Sequence, residues 1–183
     1  MSGLGEQVSC LLRGRGCVVG LGREALGDDG LGMRIARRCA EVFDGSPAVL
    51  LAGLAPERHL AFLMDGGFDH VVFLDAVAFG GRPGSVVLLD AREMESRFPQ
   101  ISTHRLSLGL LARWIEQNGR TTVHLLGVQP GVLKEGAGLS EPVARAVELL
   151  GEILAHASDL SDPSDPSDLS DGSVRGNLCL LPC

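Results

Sequence analysis

The chain has 183 residues, 45% of them hydrophobic, which suits one cored domain with trimmings and is short for two. Its formal net charge of -7, with the 16 Lys and Arg scattered along the chain, argues against a nucleic-acid partner, because phosphate binding needs a concentrated basic surface. Five cysteines without regular spacing do not read as a disulfide framework, the N-terminus lacks an apolar stretch of leader quality and no later apolar run approaches a bilayer span, so a reducing cytoplasm without membrane insertion is expected.

Apolar runs of strand length punctuate the chain. Cys17 to Leu21 comes first and leads into the glycine-rich stretch "GLGREALGDDGLG" of residues 20 to 32. A helix follows, with Leu31, Ile35, Cys39, Val42 and Phe43 on one face and Arg34, Arg37, Arg38 and Glu41 opposite. Ala48 to Ala52 is the second strand. A short helix fits Pro56 to Met64, since a proline costs little in a first turn, and "DGG" ends it. Val71 to Leu74 and Val86 to Leu89 are the third and fourth strands. A helix from about Thr103 to Asn118 is closed by Gly119, and Val123 to Val128 forms the fifth strand. The last helix begins at Ser140 as N-cap, with Val143, Val147, Leu150 and Leu154 as its buried stripe. Val- and Leu-rich strands with little alternation read as buried on both faces, and their interleaving with helices gives an α/β sandwich around a largely parallel sheet.

The end of the chain differs in kind. "SDLSDPSDPSDLSDGS", residues 158 to 173, is acidic, Pro-bearing and free of aromatics, and cannot bury enough surface to offset the entropy of ordering it. Disorder is expected there. The apolar terminus "VRGNLCLLPC" reads as a loosely docked tail, since Cys179 and Cys183 alone supply half a metal site. The organisation is thus an N-terminal extension (1–15), one α/β domain (16–157) and a Ser-Asp-rich tail (158–183).

Ligands of open α/β sheets gather beyond the carboxyl ends of the strands. That rule selects the loop with Asp28 and Asp29, the strand end "VVFLDA" with Asp75, and the segment "STH" with His104. Two carboxylates and an imidazole converging there would make a cation site of O, O and N ligands suited to Ni, Zn or Mn. Each has a plainer use: Asp28 or Asp29 as a helix N-cap, Asp75 as a turn cap, His104 as a capping or partly buried histidine. His59, His70, His124 and His156 have no carboxylate context and read as structural. A phosphate cradle fits poorly. The glycines run G-x-G-x-x-x-x-G rather than G-x-G-x-x-G, Ala52 stands where a ribose-binding acid belongs, and two aspartates would repel a pyrophosphate. There is no Walker-type Gly-Lys-Ser/Thr and no G-x-S-x-G elbow, and Cys10, Cys17 and Cys39 look like terminal or core residues.

Taken in order, "VVGLGREALGDDGLGMRIA", "VVFLDA", "STHRLSLGLL" and "LLGVQPGVLKEGAGLSEPV" resemble the hydrogenase maturation proteases, over about Cys17 to Leu154. The resemblance implies a three-layer α/β sandwich whose twisted, mostly parallel five-stranded sheet carries helices on both faces. It implies an endopeptidase that removes the C-terminal extension of a nickel-iron hydrogenase large-subunit precursor once nickel is in place. The family's nickel-recognition and catalytic positions fall on Asp29, Asp75 and His104, with Ni2+ supplied by the precursor. Asp29 and His104 are expected in exposed loops. The chain departs from the family pattern at Arg23, where Asn usually follows the first G-x-G, and at Ala52, where Asp is usual. Those departures motivate an alternative, a checkpoint protein of the same fold that binds precursor or nickel without cutting.

Overall fold

The computed structural model describes residues 3–97, 107–117 and 119–159. The elements, in chain order, are α1 (Leu4–Leu11), β1 (Gly16–Leu21), α2 (Leu31–Val42), β2 (Ala48–Gly53), α3 (Leu60–Asp65), β3 (His70–Ala76), β4 (Val86–Asp90), α4 (Ala91–Arg97), α5 (Leu108–Glu116), β5 (Thr122–Val128) and α6 (Glu141–Asp159). The strands form one sheet in the order β2-β1-β3-β5-β4. All pairings are parallel except β4 with β5.

Alternation along each central strand sends side chains into two separate cores. Val18, Val72, Leu74, Leu126 and Val128 meet α1, α2 and α6 on one face, whereas Val19, Val71, Phe73, Val123 and Leu125 meet α3, α4 and α5 on the other. The fold is therefore the expected three-layer α/β sandwich. Strands β1 and β3, covered on both sides, are buried almost throughout; the edge strands β2 and β4 are only partly so.

All five strands stand where the apolar runs put them, and the helices diverge more. Val42 was assigned to the buried face of α2 but is 54% exposed, while Phe43, just past the helix end, turns inward. Pro56–His59 is a 3-10 turn that precedes α3, so the predicted Pro56-to-Met64 helix is split in two. The helix expected from Thr103 starts at Leu108, because Ser107 has an extended backbone and its hydroxyl accepts from the Leu110 N–H as an N-cap. Two helices were not anticipated. Helix α4 lies on β4's exit, and α1 packs on α6, with Val8 and Leu12 fully buried in the first core. Ser158 and Asp159, the first two residues of the tract expected to be disordered, instead end α6, because the helix runs on past its buried stripe; the rest of the tract and the terminus with Cys179 and Cys183 lie outside the described residues.

The order β2-β1-β3 matters for function. The chain leaves β1 through α2 toward β2 on one side, then crosses by α3 to β3 on the other, so the carboxyl ends of β1 and β3 flank a topological switch point where the outgoing loops part. No helix among the described residues is long and apolar enough to cross a membrane.

Candidate active site

The loop after β1 is shaped by close approaches that only glycine permits. Gly22 has a φ of 98°, its N–H donates to the Gly53 carbonyl at 3.1 Å, and a Cβ there would overlap the carbonyl oxygen of Asp29. At Gly32, in the first turn of α2, a Cβ would overlap the Leu74 carbonyl of β3. The helix start is thereby pressed onto the ends of β1 and β3. Between these two glycines the chain makes a 3-10 turn, Gly27–Gly30, which packs against β3.

Within that turn the two adjacent aspartates do different things. Asp28 is fully buried, and its carboxylate accepts from the backbone N–H groups of Gly131 (2.7 Å), Val132 (2.7 Å) and Ser140 (2.6 Å) and from the Ser140 hydroxyl (2.8 Å). Burial alone would raise its pKa, yet the hydrogen bonds from Val132, Ser140 and Gly131 together hold the carboxyl below its ordinary value. Ser140 does stand at the start of α6, and its carbonyl accepts from Ala144, but its hydroxyl is directed to Asp28. Asp29 instead takes one hydrogen bond, from the Arg23 N–H to Oδ2 at 2.6 Å; among the described residues nothing donates to its Oδ1. A carboxylate with one oxygen fixed and the other uncommitted fits a monodentate metal ligand. Of the two acids, only Asp29 is arranged for that.

Asp75, near the end of β3, is 3% exposed, and its Oδ1 accepts from the Ala76 N–H at 2.9 Å. The structure therefore places Asp29, in the turn after β1 that packs against β3, and Asp75, near the end of β3, at the same edge of the sheet by the switch point. Asp29 is only 4% exposed, against the expectation of an exposed loop residue, because its turn is pressed onto Gly22 and against β3. His104 lies outside the described residues, and among the described residues no group of three His, Cys, Asp or Glu side chains is arranged to hold a metal.

Sequence reasoning names Asp28 only as a member of the loop or a helix N-cap, and it does not single out Gln129, although both build this edge. The Gln129 Oε1 accepts from the Phe79 and Gly81 N–H groups at 2.9 and 3.1 Å, fastening the β3–β4 loop to the end of β5. The available signal was a lone amide following an apolar strand directly before proline. Arg23 uses its backbone on Asp29 and its guanidinium on Glu135 at 2.7 Å, across to the β5 loop. Ala52 is an apolar, nearly buried residue packed in the second core.

The other nucleophile and histidine candidates fall away from this edge. Burial pushes the Cys17 and Cys39 thiols up to about 12, so neither supplies a thiolate. His70 opens β3 at the opposite edge and its Nδ1 is 2.7 Å from Thr122 Oγ1, while the His156 Nδ1 is 2.8 Å from the Glu152 carbonyl on its own helix.

Comparison with known proteins agrees with this architecture. The family model for HycI, hydrogenase maturation protease, matches residues 33–157, beginning just after the Asp29 turn. The Hydrogenase 3 maturation protease of Escherichia coli K12 is 27% identical over 128 residues, covering 70% of this chain and 81% of its own. The HycI crystal structure from Thermococcus kodakarensis KOD1, a [NiFe] hydrogenase maturation protease, superposes with a TM-score of 0.74 at 29% identity, over 84% of this chain and 99% of its own. The solution structure of the Escherichia coli endopeptidase HycI gives a TM-score of 0.69 at 25% identity, over 78% and 90% respectively. A match over more than half of the chain, with this sheet order and this loop chemistry, places it in a family: the chain belongs to the hydrogenase maturation proteases.

Proposed function

We propose that this protein is the endopeptidase that removes the C-terminal extension of a nickel-iron hydrogenase large-subunit precursor after nickel has been inserted. The observation that carries the reading is the pair Asp29 and Asp75, two nearly buried carboxylates, one in the turn that packs on β3 and one near the end of β3, in a fold whose relatives are maturation proteases. Nickel enters as part of the substrate. An ion already held by the precursor would find Asp29 Oδ1 uncommitted, with Asp75 and His104 completing an O, O, N set. Docking at the cleavage position would then depend on the precursor being loaded.

Cleavage is a hydrolysis. A water oxygen bonds to the scissile carbonyl carbon, the C–N bond breaks, and the water's proton reaches the departing amine. A carboxylate at the site suits the general-base role, since it can take the proton from water and pass it on. Cys17 and Cys39, whose thiols burial pushes up to about 12, do not suit the nucleophile role.

Arg23 and Ala52 favour a second reading, the non-cleaving checkpoint, because they put a guanidinium at the rim and remove a carboxylate from the end of β2. One experiment separates the two. The full-length protein is incubated with the large-subunit precursor from its own genome, nickel-loaded and nickel-free, and the products are weighed by mass spectrometry. Loss of a discrete C-terminal peptide only from the loaded form is the expected result. A stable complex with the loaded precursor and no mass loss would replace the protease reading with the checkpoint.

A further inference from the structure

We propose that Asp28 is the positioning residue of the site: it locks the β1 loop to the β5 loop and thereby sets the carboxylate of Asp29. This inference rests on the function proposed above for Asp29 and adds a residue that the reading does not use.

Residue 28 is held to one segment from both ends. Its N–H donates to the Val132 carbonyl at 2.9 Å, while its carboxylate collects the N–H groups of Gly131, Val132 and Ser140 together with the Ser140 hydroxyl. Neighbouring bonds continue the same seam. The Gly136 N–H donates to the Ala25 carbonyl at 2.8 Å, the Arg23 guanidinium meets Glu135, and a Cβ at Gly27 would stand 2.5 Å from the Val132 carbonyl. Among the described residues, no side-chain cation bonds Asp28. Its charge is met by backbone N–H dipoles, at fixed directions, beside the start of α6.

A 3-10 turn has three residues per turn, so successive side chains diverge widely. With Asp28 pinned into the β5 loop, the side chain of Asp29 is turned away from that loop, onto the Arg23 N–H. The anchor also holds the segment carrying Val132 and Leu133, which are 42% and 54% exposed on the rim. Removing the anchor releases the turn at residue 28, and Asp29 shares its peptide bond.

The test uses Asp28→Asn and Ser140→Ala in the full-length protein. Asn puts an NH2 group among converging donors, while Ser140→Ala removes one of the four bonds and leaves the carboxylate. Amide hydrogen exchange is read at Arg23, Gly131, Val132 and Ser140, below the melting transition of each variant. Cleavage of the nickel-loaded precursor is followed as kcat and KM. The Arg23 amide is expected to exchange at least roughly tenfold faster in Asp28→Asn. In the same variant kcat is expected to fall about a hundredfold, more than KM rises, because a misplaced catalytic group costs turnover. Ser140→Ala should show a smaller loss of the same kind, and it carries the test alone if Asp28→Asn does not fold. Faster exchange at residues 131, 132 and 140 with wild-type protection at Arg23 would overturn the proposal, as would a raised KM with kcat intact, since either means Asp28 holds only the loop. The exchange arm requires no cleavage. A wild-type protein that fails to cut the loaded precursor sinks the protease reading, whereas the Arg23 amide reports separately on the positioning.

Discussion

Two adjacent aspartates with the same side chain separate into an anchor and a ligand by what their oxygens meet. Every oxygen of Asp28 is engaged by N–H or O–H donors, which makes it a poor ligand, whereas Asp29 keeps Oδ1 uncommitted. That difference was not legible in "GDDG", because each bond to Asp28 comes from residues more than a hundred positions later in the chain. It was the family resemblance, and not spacing, that pointed to the second acid. A substitution should separate the ligand role from folding. Asp29→Ala leaves the Arg23 N–H without its acceptor, which costs about 1–3 kcal/mol for a buried donor, so a loss of activity in that variant mixes two effects. Asp29→Asn retains an acceptor. It should melt near the wild-type temperature and process the loaded precursor at least roughly a hundredfold more slowly. Asp75→Asn should behave the same way, its amide oxygen still accepting from Ala76. Normal processing by either folded variant, measured as peptide released over time, would remove that residue from the ligand set.

At the scale of elements, legibility followed burial. Strands β1 and β3 are covered on both faces, so their sequences are unbroken apolar runs that a reader finds directly. Helices were harder, because each buries only a stripe and its ends are set by local chemistry. The predicted start at Thr103 gave way to Ser107, a capping serine whose competitors Ser102 and Thr103 are equally good caps by residue type. Val42 shows the same weakness: an apolar residue at a helix end satisfies the periodic pattern, yet Phe43 takes the inward position once the backbone leaves the helix. Helix α1 escaped notice because the eight residues of "LGEQVSCL" are too short a run to show a helical period, although Val8 and, just beyond the helix, Leu12 close the first core against α6. This element enters β1 at its amino end, the far edge from Asp29 and Asp75. Leu12→Ala should therefore destabilise the protein by roughly 2–5 kcal/mol, the usual range for a buried leucine. The loss will appear as a lower denaturation midpoint, with processing at low temperature close to wild type. A proportionate loss of turnover in the folded variant would show that α1 reaches the site. Truncation after residue 159 should leave the melting transition in place, since Leu154 already completes the α6 stripe.

For the molecule as a whole, the parallel sheet sorts its ionisable groups by edge. The carboxyl edge holds Asp28, Asp29 and Asp75. Toward the amino edge His70 opens β3 and His124 lies on β5 in register with Val72 and with Asp90 of β4. Burial lowers the pKa of His70, partly offset by Asp69. Burial also lowers that of His124, helped by His70 and opposed by Asp90 and Glu93, and its buried Nδ1 has no hydrogen-bond partner among the described residues. The unfolded chain, with ordinary histidines near 6.5, then binds protons that the folded chain refuses. The sign follows from that difference: this contribution to stability is complete above pH 6.5 and is lost as pH falls through 6.5 toward the lower folded values. Melting temperature should accordingly decline between about pH 7 and pH 5. His124→Gln cannot take up a proton in either state, so its decline over that interval should be shallower than that of the wild-type protein. Its precursor processing near neutral pH should be unchanged, because the substitution lies toward the edge opposite the two carboxylates. An unaltered slope would mean that His124 does not drive the acid response, and a loss of processing in the folded variant would mean that the two edges of the sheet are coupled through β3 and β5.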